Sequence, residues 1–153
     1  MTAETCYAQA LRWLARRGYG EQELAWRLKS QGATAEQIAA VVVRCRELGY
    51  LNDPAFAASR VRVRLERGWG EGRIRAELRA LGLDEELVTQ ALRESDAPAD
   101  PVSRARLALT RHYGAAGGWE RSDFRERRRR YAFLARRGFD PEVIQAALDE
   151  VTG

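Results

Sequence analysis

The chain has 153 residues, of which 45% are hydrophobic and 31% charged, and its formal net charge is +4. That is long and apolar enough for a folded core, which excludes global disorder, while so modest a net charge does not by itself establish nucleic-acid binding. Cys6 and Cys45 lie far apart, His112 is the only histidine and no CxxC pair occurs, so zinc-ligand spacing is absent and no metal or other cofactor is expected.

Lys29 is the only lysine, so nearly all the positive charge is arginine. The planar guanidinium fork grips phosphate or carboxylate at two points and stacks on rings, although a GC-rich genome produces the same bias. The stretch from Met1 to Ala15 carries Glu4 and Arg12 and lacks a continuous apolar segment. No run approaches membrane-spanning length, so a cytoplasmic protein without membrane contact is expected, with both cysteines as small buried hydrophobes.

In chain order, Tyr7, Leu11 and Leu14 recur at helical spacing in a first helix that stops at Gly18. Leu24 and Leu28 mark a second, closed by Gly32 as a C-terminal stop. Thr34 and Gln37 form a capping box for a third, whose stripe is Ile38, Val41, Val42 and Cys45 and which ends at Gly49. Asp53 is the expected N-cap of the fourth, with Pro54 at its first position and Phe56, Ser59, Val61 and Val63 on its apolar side. Ile74 and Leu78 define the fifth helix; the sixth is capped by Asp84 and carries Leu87, Val88, Ala91 and Leu92. Ser95 to Pro101 reads as a linker. Beyond it come a helix with Leu107 and Leu109, a mobile loop over Gly114 to Gly118, a long helix from about Ser122 to Arg137 and a short one from Pro141 to Val151. No segment alternates as a strand does, so the fold is all-α.

The elements repeat. Arg17-Gly18-Tyr19-Gly20-Glu21 returns fifty positions on as Arg67-Gly68-Trp69-Gly70-Glu71, and the register holds through Leu24 and Ile74, Leu28 and Leu78, Gly32 and Gly82. A more divergent third copy shows at its end, where Gly138-Phe139-Asp140 matches Gly82-Leu83-Asp84. The reading is three tandem three-helix repeats over residues 1–50, 51–96 and 97–153. Units so small bury thin cores and need one another's support, so an elongated array that can curve is expected.

Catalytic constellations are missing, and an enzyme is not expected. One histidine permits no Ser/His/Asp set, and Gly68-Trp69-Gly70-Glu71-Gly72 lacks both a preceding strand and a Walker lysine, so it is a turn between helices. Binding is the chemistry the residues suggest. Arg125, Arg127, Arg128, Arg129 and Arg130 crowd one helix, and Arg136 and Arg137 extend the charge to its end. Phe124, Tyr131 and Leu134 are placed on that helix's buried side. A second basic series has Arg60, Arg64 and Arg67 on one face and Arg73, Arg75 and Arg79 beyond, diluted by Glu66, Glu71 and Glu77, which suits steering better than tight clamping of a duplex. A merely solvated surface is the plain alternative for both. Trp13 and Trp26 are assigned to packing, and Tyr19 and Trp69 to the structure of equivalent turns in preference to base stacking.

These residues resemble the RecX family of bacterial recombination regulators. The resemblance rests on Leu14-Ala15-Arg16-Arg17-Gly18-Tyr19, on Glu47-Leu48-Gly49-Tyr50-Leu51-Asn52-Asp53 with Phe56-Ala57, on Gly68-Trp69-Gly70, and on Phe133 to Phe139, and it covers nearly the whole chain. Gly20 departs from it, standing where the family commonly has a Ser-type cap. The resemblance implies a protein without enzymatic activity that binds the RecA recombinase filament on single-stranded DNA and restrains its ATPase, strand-exchange and coprotease activities; a monomer is expected, with weak duplex binding allowed. It supplies no contact residues. Two other classes compete: a helix-turn-helix transcription regulator, opposed by the apolar run Ala39 to Val43 on the would-be recognition helix, and a passive helical scaffold.

Overall fold

The computed structural model describes residues 1–114 and 123–150. Among these residues all regular structure is helical: α1 (Ala3–Arg16), α2 (Glu21–Ser30), α3 (Ala35–Glu47), α4 (Asp53–Glu66), α5 (Glu71–Ala80), α6 (Glu85–Arg93), α7 (Pro101–Tyr113), α8 (Phe124–Arg136) and α9 (Pro141–Glu150). The expected loop after Gly114, the proposed start at Ser122 and the proposed end at Val151 lie outside the described residues.

The helix ends show why the chain breaks where it does. The α3 capping box forms as its sequence requires, with the Thr34 hydroxyl accepting from Gln37 N–H and the Gln37 side chain accepting from Thr34 N–H. The second helix of each repeat ends in one turn type: Gly32, Gly82 and Gly138 take positive φ, and the next residue donates back across the turn, Ala33 to Leu28, Leu83 to Leu78 and Phe139 to Leu134. Only glycine enters that conformation without strain, and the buried residue after it seals the helix end.

The start of α4 corrects the sequence reading. Asn52, not Asp53, is the N-cap: its side-chain oxygen accepts from Ala55 N–H at 3.0 Å, which places Asp53 at the first helical position and Pro54 at the second. Asp53 instead accepts from Glu21 N–H at 2.9 Å. α2 begins after Gly20, which has no side chain with which to cap, so Asp53 supplies the missing acceptor from another helix.

The chain divides into two compact units within the middle repeat, one of Met1–Ser59 with Leu78–Ala91 and one of Arg60–Glu77 with Leu92–Gly153. In the first, α1 and α2 both pack on α3, and Cys6, Ala10, Trp13, Leu24, Leu28, Val41, Cys45 and Leu51 form a continuous core. Tyr7, Leu11 and Leu14 flank that face of α1 and are only partly buried. Trp26, assigned to packing, is 48% exposed. In the second unit α7 and α8 pack on α9 around Ala105, Ala108, Leu109, Phe133, Leu134, Ile144 and Leu148. Here too large residues leave the core: Leu107 is exposed on α7, where burial falls on Ala105, Ala108 and Leu109, and Phe124 is 75% exposed because burial on α8 is confined to its C-terminal half at Phe133 and Leu134.

Each unit contains the same inter-repeat contact. In the first, the α5–α6 turn lies on the start of α2: a Cβ on Gly82 would come within 2.7 Å of Gln22 Cβ, and one on Gly20 would touch Leu83. In the second, the α8–α9 turn lies on the start of α5: a Cβ on Gly70 would lie 2.6 Å from the Gly138 carbonyl carbon, and one on Gly138 would lie 2.6 Å from Arg73 N. Gly70 N–H donates to the Arg137 carbonyl across this contact. Backbone meets backbone there, with no room for a methyl group.

Asp53→Ala should cost about 1 kcal/mol in urea unfolding, and Asp53→Asn less, because the amide oxygen still accepts from Glu21 while the desolvated charge is gone. Gly70→Ala and Gly138→Ala should each cost about 2 kcal/mol or more. Gly49→Ala, at a positive φ with nothing within 4 Å, should cost only the backbone strain of about 1 kcal/mol.

Candidate functional site

The structure sorts the sequence-selected arginines by what already holds them. Arg64 and Arg60 converge on Glu77: Arg64 places two nitrogens on its carboxylate at 2.7 and 2.9 Å, and Arg60 adds a contact at 3.3 Å. The Arg64 side chain is 16% exposed and that of Glu77 20%, so this is a partly desolvated clamp, and the Glu77 hydrogen bond raises the Arg64 pKa above its usual value. Arg75 binds Glu71 at 2.9 Å and Arg79 binds Glu85 at 2.5 Å.

On α8 the run of arginines is likewise divided. Arg129 and Arg130 each lie 2.8 Å from Glu126, Arg130 nearly buried with its guanidinium over the Tyr113 ring. Burial raises the Glu126 pKa, but the hydrogen bonds from Arg130 and Arg129 outweigh it and leave it below its usual value. Arg127 reaches Gln145 at 2.7 Å and Asp149 at 2.9 Å, tying α8 to α9. Asp123 caps the helix by accepting from Arg125 and Glu126 N–H. These contacts fix the run in place from within.

The other candidates form no ion pair among the described residues. Arg67, Arg125, Arg128 and Arg136 are exposed. Arg73 stacks 3.6 Å above the Trp69 ring and donates to the Arg136 carbonyl, while Arg137 lies over Phe133 and donates to the Arg67 carbonyl. Trp69 is thus held between Arg73 and Arg64, as Tyr19 is held beside Arg17 and Arg27 in the first repeat. That supports a structural role for both rings. Where the Gly68-Trp69-Gly70 turn meets the end of α8, the side chains of Arg73 and Arg137 are thus drawn to the backbone of Arg136 and Arg67.

Two arginines outside the sequence-selected set belong to the same region. Arg104 reaches Glu71 at 3.8 Å and Pro98, and Arg111 reaches the Glu66 carbonyl at 3.4 Å. Only the position of Arg111 in the last turn of α7 could have flagged it. Among the described residues no group of His, Cys, Asp and Glu side chains could hold a metal ion. No helix among them is long and apolar enough to cross a membrane.

Family models for the first, second and third three-helix domains of RecX match residues 6–45, 52–92 and 99–148. The chain belongs to the RecX family of regulatory proteins. A regulatory protein RecX from Chromohalobacter salexigens is 41% identical over 139 residues, which are 91% of this chain and 88% of that one. One from Legionella pneumophila is 33% identical over 146 residues, 95% of this chain and 93% of its own. The crystal structure of RecX from Lactobacillus salivarius aligns with a TM-score of 0.73 at 21% identity, covering 97% of this chain and 96% of that one, and shows the same all-helical fold. Another RecX crystal structure aligns equally well, at 0.73 and 24% identity, over 96% of this chain and 73% of that one.

The two classes of arginine differ in what their loss costs. Glu77→Ala removes the carboxylate on which two partly desolvated guanidinium groups converge and should destabilise the protein by about 2 kcal/mol in chemical denaturation. Arg79→Ala or Arg129→Ala, removing exposed pairs, should stay within about 0.5 kcal/mol of the parent.

Proposed function

We propose that this chain binds the filament a RecA recombinase forms on single-stranded DNA and restrains that filament's ATPase, strand-exchange and coprotease activities. The observation that carries the reading is family membership over all three repeats. Arginines that no carboxylate among the described residues neutralises, Arg67, Arg125, Arg128 and Arg136, are candidates to meet DNA phosphate or acidic recombinase surface. The three repeats, taken as 1–50, 51–96 and 97–153, act as linked modules, so that several weak contacts reinforce one another. The protein works as a cytoplasmic monomer that binds and performs no catalysis.

The helix-turn-helix alternative loses ground on α3. The positions α3 turns to solvent include Ala35, Ala39, Ala40 and Val43, which offer no donors or acceptors to base edges.

Recombinase ATP hydrolysis on single-stranded DNA should fall when the protein is added substoichiometrically, and the inhibition should weaken as salt rises. The triple variant Arg125→Glu, Arg128→Glu, Arg136→Glu should need about tenfold more protein for half-inhibition, while Arg12→Glu, exposed on α1, should match the parent. No inhibition at any salt concentration would sink the reading, and a sequence-specific duplex footprint without recombinase would favour the transcription regulator.

A further inference from the structure

The second compact unit contains an open groove of about 160 Å³ between the end of α4, the last turns of α7 and the end of α8. Three of its lining residues are arginines from three different helices or their ends, Arg67, Arg111 and Arg137. None forms an ion pair among the described residues; the one carboxylate on the lining, Glu66, leaves a positive excess. Arg111 and Arg137 are anchored by one nitrogen each, to the backbone carbonyls of Glu66 and Arg67. A guanidinium has five N–H donors, so anchoring at one nitrogen orients the fork and keeps donors for an anion. Arg67 is exposed and its backbone carbonyl, not its side chain, holds the local structure.

The same groove holds His112, which is exposed yet fixed in position. Its ring stacks on buried Phe133 at 4.3 Å between centroids and 17° between planes, and Tyr113 meets it edge-on at 4.6 Å. An aromatic pedestal under an exposed flat ring, in one groove with guanidinium groups, offers the two chemistries found along a single nucleic-acid strand, where anionic phosphates alternate with flat bases. An acidic peptide would use the arginines and leave the ring without a role, and a duplex would keep its bases stacked away from it.

We propose that the groove of Arg67, Arg111, Arg137 and His112 is a binding subsite for single-stranded nucleic acid, with phosphate on the arginines and one base on the His112 ring. The proposal deepens the nucleic-acid half of the function above and rests on it, but it concerns the chain alone and is tested without recombinase, so its failure leaves the protein–protein half standing.

The test is fluorescence anisotropy of a labelled oligothymidylate titrated with the full chain at several salt concentrations. Arg67→Glu with Arg111→Glu should weaken binding at least about tenfold and flatten the slope of log affinity against log salt by roughly 1.4, two phosphate contacts for a single strand. Arg67→Glu alone, which removes no anchoring bond, should show about half of that slope change, and thermal unfolding should match the parent. His112→Ala should weaken binding about fivefold or more, and His112→Trp should restore it. Arg12→Glu and Arg62→Glu, exposed and outside the groove, serve as charge controls and should change affinity less than about twofold. The proposal is overturned if the parent fails to bind the oligonucleotide at low salt, or if the controls lose as much as the groove variants. It is equally overturned if His112→Ala binds like the parent, or if oligoglutamate of equal charge displaces the strand as effectively as unlabelled oligonucleotide.

Discussion

Everything else in the molecule depends on a backbone contact that excludes side chains. At Gly70 and Gly138 two turns touch through main-chain atoms, and the equivalent turn at Gly82 rests on Gln22 near Gly20. A repeat of three short helices exposes an apolar face unless a neighbour covers it. The glycine contact lets the turn of one repeat settle onto the start of the preceding repeat's second helix, where unpaired N–H groups need acceptors. Gly70 N–H finds one in the Arg137 carbonyl, and Glu21 N–H finds one in Asp53. At Gly70 one contact thus meets two demands at once, close approach and satisfaction of a helix start, while at α2 the turn supplies the close approach and α4 the acceptor.

The same contact organises the charge. Because the α8–α9 turn touches the start of α5, the end of α8 is carried to the Gly68-Trp69-Gly70 turn, and Arg73, Arg136, Arg137 and Arg67 come together there. The guanidinium groups of Arg73 and Arg137 bind carbonyls and rings, not carboxylates, and Arg67 and Arg136 are exposed, so the positive charge remains available at the surface. Elsewhere the arginines serve the fold. Glu77 gathers Arg60 and Arg64, Glu126 gathers Arg129 and Arg130, and Arg127 ties α8 to α9. Arginine content therefore overstates the binding surface, since much of it is consumed internally.

How much of this was legible in the sequence follows from how local each feature is. The helices, the Thr34–Gln37 capping box and the positive-φ glycines at 32, 82 and 138 depend on residues within a turn of one another, and the sequence shows them directly. On α1 the spacing of Tyr7, Leu11 and Leu14 marks the helix but not its closest contact, because bulk is a poor guide to closeness: Cys6 and Ala10 are fully buried where helices touch, and larger Tyr7 and Leu14 flank them. Asp53 has the residue type and place of an N-cap, but Asn52 beside it has them too, and only the distant unmet N–H of Glu21 decides between them. Periodicity alone puts Phe124 with Tyr131 and Leu134, yet periodicity cannot say where along a helix the covering partner acts. The candidate site is the least legible part, because Glu77 lies 17 and 13 residues from Arg60 and Arg64, and the Arg137–Arg67 contact spans 70.

An arginine held by a carboxylate must break a charged hydrogen bond before it can bind an anion, so Arg64 and Arg130 are poor first contacts however basic their helices look. Arg137 and Arg111, each held by a neutral carbonyl, are oriented without being neutralised. Their entropy of ordering is already spent in the free protein, while their full charge is retained for an incoming phosphate. Pairing in the folded chain, more than density of arginine along it, separates the residues that build this protein from those placed to meet a partner.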